Sequence, residues 1–330
     1  MARDDKVWGT LVFVTPLNPC HPEHSEGPAF VRRRCGSEAA RGIPYTARMK
    51  LLAFETSTEA CSVAVWVDGV IVERHEIAPR RHAECALPWA EALLAEAGIA
   101  RSQLDAVAVG RGPGAFTGVR LGVALVQGVA LALDLPVIPV STLAALALAA
   151  GLPEAGEGGQ HEGGERQAGD RQIGERRVLA VIDARMHEVY AGRFALAADP
   201  VSGGAVARAL GPESVEAPAA LAIPQADPQA DPQADPETGP KGGLWHVVGT
   251  GLAAEGGLLQ GRLAAQPGLQ LASVLPDALP RAADVARLAV AAFARGETVA
   301  AERLEPAYLR DKVALTLDEQ AASRAAAAAR

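Results

Sequence analysis

Residues 107–122 read VAVGRGPGAFTGVRLG: the end of an apolar strand, a loop in which Gly110, Gly112, Gly114 and Gly118 surround Pro113, and the first turns of a helix. Glycine at a strand-to-helix junction lets backbone N–H groups approach an anion at the helix N-terminus. The known phosphate-loop patterns do not fit. GxxxxGK[ST] needs a lysine that the stretch lacks, and the GxGxxG spacing begun by Gly112 and Gly114 finds its next glycine, Gly118, one place late. A turn that needs glycine for close packing is the other reading, and both stay open on the residues alone.

The helix launched by this loop is unusual. On a wheel of about 100° per residue, Arg120, Gln127 and Asp134 share one narrow polar stripe, and nearly everything else from 118 to 134 is Gly, Ala, Val or Leu. An ordinary surface helix has one apolar stripe and a broad polar face, so this one is expected to be covered on two sides. Gly118, Gly122, Ala124, Gly128 and Ala132 lie on one broad arc. Interior helix glycines cost about 1 kcal/mol each relative to alanine, a cost that close approach of another helix would offset. The second cover is either the rest of the same fold or a helix of another subunit. The preceding helix, RHAECALPWAEALLAEAGI, brings Leu87, Trp89, Leu93 and Leu94 towards the same surface and stops at Gly98.

Upstream, KLLAFETS is an apolar strand and CSVAVWVDG alternates, Ser62, Ala64 and Trp66 facing one way and Val63, Val65 and Val67 the other. Asp68-Gly69 is a hairpin turn, and VIVERHEI pairs back. Downstream, PVIPVS reads as a strand, and TLAALALAA as a helix capped by Ser141 or Thr142. VLAVIDARMHEVYAGRF repeats the theme of strand, turn, strand; GLWHVVGTG is a further strand and RAADVARLAVAAFARG a helix. Both strand-rich openings end their first strand on an acid, Glu55 and Asp183, which suggests two copies of one plan facing across a cleft. The fold class expected is α/β, two related lobes with mixed sheets flanked by helices.

The 330-residue chain has a formal net charge of −8, unsuited to binding nucleic acid by itself. Its longest apolar runs look shorter than the roughly 18–20 residues of a membrane span. VWGTLVFVTPL near the start lacks the charged n-region and cleavage site of a secretory signal. Cys20, Cys35, Cys61 and Cys85 form no CxxC, which points to reduced thiols and a cytoplasmic protein. Cys20, His21, His24 and Cys35 match no standard zinc spacing. Residues 1–48 show no period of 2 or 3.6, so Met49 is the expected biological start, with 1–48 a non-native or disordered extension. A Gly/Glu-rich insertion at 151–177, a PQAD repeat within the loop 224–243 and a frayed tail at 314–330 complete the expected plan. The first lobe is then 49–150 plus 281–313 and the second 178–280.

Catalytic equipment is sparse. HxxxH and HExxH are absent; His82 and Cys85, three apart on a helix, read as structural. Ser57 and Thr58 follow Glu55 on a turn without a GxSxG context. Asp183, Arg185, His187 and Glu188 form a polar cluster after a strand. The cleft candidates are Glu55, Thr56, Ser57, Gly112, Gly114, Asp183 and Arg185. The docking candidates are Leu87, Ala90, Leu93, Leu94, Gly118, Gly122, Leu125, Gly128, Val129 and Ala132.

The motifs LLAFETSTEACSVAVW, GRGPGAFTGVRLGVALVQGVALAL, IPVSTLAAL, IDARMHEVY and EPAYLR together resemble the TsaB, or YeaZ, family. The match runs from Met49 to about Val313, apart from the two insertions. The resemblance implies an actin-like ATPase (Hsp70-like) fold and membership of the bacterial complex that makes N6-threonylcarbamoyladenosine at position 37 of tRNA. It implies a subunit with no catalytic residues, metal or cofactor of its own. Such a subunit dimerises with a TsaD-type catalytic paralogue, which holds a metal through an HxxxH pair that this chain lacks. A small TsaE-type ATPase joins the pair, ATP or ADP belongs to the complex, and tRNA is met through it. The family's interface maps onto the helices at 80–97 and 117–133, a surface that would also serve a homodimer. A glycopeptidase-like protease and an ATP-dependent small-molecule kinase are the alternatives.

Overall fold

The computed structural model describes residues 49–151, 175–199, 202, 204–224 and 244–310. The extension at 1–48 with its Cys20–Cys35 set, most of the Gly/Glu-rich insertion, the PQAD repeat and the tail at 314–330 lie outside the described residues.

The first sheet is built from β1 (Lys50–Glu55), β2 (Ala60–Val67), β3 (Val70–Ile77), β4 (Ala106–Gly110) and β5 (Val137–Val140), in the order β3-β2-β1-β4-β5. β1 runs antiparallel to β2 and parallel to β4. Asp68 and Gly69, at φ 51° and 90°, make the tight turn between β2 and β3. Both faces of the sheet are covered. Leu51, Ala53, Ala64 and Trp66 enter one core and Leu52, Phe54, Val63 and Val65 another.

The outer face carries α1 (His82–Glu96) and α2 (Phe116–Leu133). Helix α1 ends at Gly98, φ 67°, whose neighbour Ile99 donates back to Leu94 O at 3.0 Å. The inner face carries α3 (Thr142–Ala147), capped by Ser141 Oγ accepting from Ala144 N at 3.2 Å.

The second sheet repeats the plan. Strands β6 (Arg176–Arg185), β7 (Glu188–Ala198), β8 (Ala205–Ala209), β10 (Leu244–Val248) and β11 (Gln270–Leu275) lie in the order β11-β10-β6-β7-β8, with β9 (Ser214–Glu216) added to β7. Position for position this is the first sheet's order, with β6 in the place of β1 and β10 in that of β4. Helix α4 (Ala254–Ala265) packs Leu259 and Leu263 on the outer face. Helix α5 (Ala282–Ala294) lies with α3 between the sheets, so one core joins Leu51 and Ile138 of the first lobe to Val178, Phe194 and Leu196 of the second. The layers are thus α1/α2, first sheet, α3/α5, second sheet and α4.

Helix α5 is capped from a distance. Ala282 N donates to Ser62 Oγ and Ala283 N to Glu73 Oε1, each at 2.9 Å, and Arg281 closes on Glu73 Oε2 at 2.6 Å. Its first-turn Asp284, only 7 % exposed, pairs with Arg287.

One expectation needs amending. Helix α2, at 18 residues and a mean hydropathy of 1.7, is long and apolar enough for a membrane span by length and composition. Yet Val119, Val123, Val126 and Ala130 are buried in the protein, three of them in the core beneath the first sheet's outer face.

Candidate functional site

Four of the five glycines of 107–122 are explained by one neighbour, Glu55-Thr56-Ser57 at the end of β1; Gly112, at φ 108°, instead lies under Ala307 O. A Cβ on Gly110 would lie 1.7 Å from Glu55 Oε2, on Gly114 2.4 Å from Ser57 O, on Gly118 2.1 Å from Thr56 O and on Gly122 2.6 Å from Thr56 Oγ1. Hydrogen bonds stitch the same contact: Thr56 Oγ1 donates to Gly118 O at 2.8 Å and Ala115 N to Ser57 O at 2.7 Å. These glycines let a turn of the same chain lie against the loop and helix. Gly118 and Gly122 therefore face inward, which corrects their assignment to the docking surface.

Glu55 is wholly enclosed. Its Oε1 accepts from Ser57 N at 2.7 Å and from the Ser57 hydroxyl, and its Oε2 from Thr142 Oγ1 at 3.3 Å. Thr142 Oγ1 accepts in turn from Gly112 N at 3.1 Å. Burial pushes the Glu55 carboxyl above the usual carboxylate range, against the lowering pull of the Ser57 and Thr142 hydrogen bonds.

A cleft of about 230 Å³ lies between the lobes, lined by Ser57, Gly114, Phe116, Asp183, Arg185 and Tyr190 with Ala307 to Arg310. That is below the roughly 300–1,000 Å³ usual for small-molecule pockets. Of the cleft candidates, Ser57, Gly114, Asp183 and Arg185 meet here. Glu55 and Thr56, both 0 % exposed, are sealed behind it, and Gly112 is buried under Ala307 O; all three are corrected. Ser57 borders the cleft but is itself enclosed. Asp183 is spent on Arg185, accepting from its backbone N at 2.7 Å and its Nη1 at 2.8 Å. His187 Nδ1 lies 2.6 Å from Glu255 Oε1.

The cleft's third wall was not expected. Residues 304–310 form a strap without helix or strand, and the polar stripe of α2 holds it. Gln127 Nε2 donates to Leu304 O at 3.0 Å, Arg120 Nε to the Tyr308 hydroxyl at 2.6 Å, and Ala307 N to Arg111 O at 2.8 Å. At its end Arg310 crosses to the second lobe, donating to Glu188 and, at 3.1 Å, to Ala184 O. It clasps the β6–β7 turn, where Arg185, Met186 and His187 all have positive φ, between 54° and 65°. The wheel exposed the stripe; EPAYLR appeared only as a motif, and nothing in local pattern linked the two.

The outer face splits the docking candidates. Ala90, Leu93 and Leu94 of α1 are buried in their own lobe, as are Gly118 and Gly122, so none of these offers surface. Leu87, Leu125, Gly128, Val129 and Ala132 remain wholly or partly exposed. With Ala124 and Leu131, 63 % exposed, they leave a small-residue apolar face on α2, of whose 18 residues only six are buried. Nothing lies within 4 Å of a Cβ built on Gly128.

His82 and Cys61 have structural surroundings. His82 Nε2 sits 3.0 Å from Thr58 O and 3.1 Å from Ala60 O, and burial pushes the Cys61 thiol up to about 12. Among the described residues no three His, Cys, Asp or Glu side chains are grouped to hold a metal ion.

The profile of the family TsaD, tRNA N6-adenosine threonylcarbamoyltransferase, matches residues 70–161, the segment holding α1 and α2. The tRNA threonylcarbamoyladenosine biosynthesis protein TsaB of Escherichia coli (strain K12) is 37 % identical over 270 residues, covering 81 % of this chain and 96 % of that protein. Its Haemophilus influenzae namesake is 44 % identical over 142 residues, 43 % of this chain and 52 % of that one. A crystal structure from Pseudomonas aeruginosa, described as an uncharacterized protein similar to the peptidase YeaZ, superposes with a TM-score of 0.60 at 40 % identity, over 79 % of this chain and all of that one.

Proposed function

Because the chain belongs to the TsaB family, we propose that it is the non-catalytic, activating subunit of the complex that installs N6-threonylcarbamoyladenosine at position 37 of tRNA. Its partner is the TsaD-type paralogue, which transfers threonylcarbamoyl from threonylcarbamoyl-adenylate. The observation that carries the reading is the apolar face of α2 that the described residues leave exposed: small side chains at Ala124, Gly128 and Ala132, flanked by Leu87 and Leu131.

The likeness of 70–161 to TsaD supports the pairing physically. Two proteins that share a helix pair can bury equivalent faces about a near-twofold axis, and small residues let the backbones come close. When the paralogue is absent the same face serves a homodimer. The TsaE-type ATPase and tRNA then meet the assembled pair rather than this acidic chain alone, in the cytoplasm. Metal and nucleotide chemistry belong to the partners.

Proteolysis and small-molecule phosphorylation fit less well. The Ser57 hydroxyl does contact a carboxylate, as an activated nucleophile would, but both side chains are enclosed at 0 % exposure. A kinase reading needs an accessible acid where Glu55 is sealed.

The test is sedimentation of the chain with purified paralogue. The wild type should form a complex and Leu131→Asp should not, with both chains equally stable alone. Full association of Leu131→Asp would refute the assigned face.

A further inference from the structure

Deepening the docking assignment above, on which it rests, we propose that Arg120 is a preorganised anchor for a carboxylate of the catalytic paralogue, which makes the 304–310 strap part of the docking surface. Phe116 and Arg120, four residues apart, lie side by side at the start of α2. The guanidinium carbon stands 3.6 Å from the Phe116 ring centroid and 5.5 Å from that of Tyr308, and the two rings are 5.9 Å apart. Arg120 Nε donates to the Tyr308 hydroxyl, which leaves both Nη groups for another acceptor. Tyr308 is fixed by the strap's bonds to Gln127, Arg111 and Glu188, so the cation is held flat before a partner arrives.

Several arginines at the surface of this acidic chain take carboxylates, whereas Arg80, Arg111 and Arg303 are exposed without an ion pair and without a ring beneath them among the described residues. Arg74 pairs with Glu96, Arg101 with Glu91, Arg185 with Asp183, Arg208 with Glu175 and Arg295 with Glu297. Arg120 has no carboxylate partner among the described residues and stacks on aromatic rings instead. Phe116 and Tyr308 are 47 % and 48 % exposed, large apolar surface beside the bare face of α2. Arginine and aromatic side chains concentrate at the energetic centres of protein interfaces. A planar guanidinium with two open N–H edges matches a carboxylate bidentately, and a side chain already immobilised loses little entropy on binding. A protein partner is favoured over RNA because the cluster is continuous with the apolar α2 face.

The experiment titrates fluorescently labelled paralogue with wild-type chain, Arg120→Ala, Arg120→Lys, Tyr308→Phe and Leu131→Asp, at low and high salt. Arg120→Ala should weaken association by roughly 30-fold, the factor for a hot-spot side chain. Arg120→Lys keeps the charge but loses the fork, and should weaken it by about tenfold. Tyr308→Phe should weaken it less, and the salt dependence should shrink in Arg120→Ala. Association of Arg120→Ala within twofold of wild type, with Leu131→Asp still inactive, overturns this proposal and leaves the docking face intact. No association of the wild type overturns both. Unchanged paralogue affinity with loss of tRNA retention by the assembled complex would make Arg120 an RNA contact and also overturn it.

Discussion

Gly118 and Gly128 sit on the same helix and make opposite predictions. At Gly118 an alanine Cβ would meet Thr56 O at 2.1 Å, where ordinary contact begins near 3.4 Å, so the β1–β2 turn must retreat by more than 1 Å. Backbone cannot swing aside as a flexible side chain would. The retreat strains the Thr56 Oγ1 bond to Gly118 O, buried at 2.8 Å, and the Ala115 N bond to Ser57 O. Overpacking costs about 1–3 kcal/mol and a lost buried hydrogen bond about 1 kcal/mol. Alanine's better helix propensity returns about 1 kcal/mol. The expected net loss is about 1–3 kcal/mol. Gly128→Ala meets nothing within 4 Å and keeps only the propensity gain, a stabilisation of up to about 1 kcal/mol. At about 2–4 °C per kcal/mol for a chain of this size, the two variants should melt on opposite sides of the wild type. Urea titration with a shared m-value and a thermal scan measure both. A Gly118→Ala chain as stable as the wild type would refute the inward packing of these glycines, and a Gly128→Ala chain destabilised by more than about 1 kcal/mol would refute the openness of the α2 face.

Asp284 gives a pH prediction. Burial raises its pKa from 3.8 to about 6, so between those values the folded chain keeps a proton that the unfolded chain has lost. Its contribution is complete below pH 4 and is lost as pH rises through 6, a fall of roughly 3 kcal/mol at 1.36 kcal/mol per unit. Relative to the wild type, Asp284→Asn should therefore gain stability from pH 4 to 6 in denaturant titrations; parallel profiles would show that Asp284 is ionised throughout. Arg310→Ala should loosen the β6–β7 turn, seen as faster amide hydrogen exchange at 184–190 with exchange in β1 and β4 unchanged; equal rates at 184–190 would mean that the clasp bears no load.

Much of the fold was legible because period and turn chemistry agreed. The alternation of β2, the Asp68-Gly69 turn, the stop at Gly98 and the Ser141 cap are all local signals, and each forms where its residues imply. Strands β8, β9 and β11 were not legible: AVARA, SVE and QLASVL are short and half exposed, so their burial pattern carries no clear period. Helix α4 opens on Glu255, Gly256 and Gly257 in left-handed backbone, which hides its start. The glycine loop shows the limit of composition most clearly. Glycines on α2 announce that something approaches closely, but the wheel cannot say what. For Gly118 it is Thr56, 62 residues earlier in the chain. Glu55 as a strand-end acid was legible; its enclosure was not, because Thr142 and Gly112 close over it from other elements. The stripe of Arg120 and Gln127 was visible without the strap that gives it a purpose.

The central claim, that this chain acts by docking its α2 face on the catalytic paralogue, is tested most directly by reconstituted threonylcarbamoyl transfer to tRNA. Purified paralogue, ATPase subunit, threonylcarbamoyl-adenylate and tRNA are assayed with no added chain, with the wild type and with Leu131→Asp. The account predicts modification with the wild type and only background in the other two. Full modification without this chain, or with Leu131→Asp in its place, would contradict it.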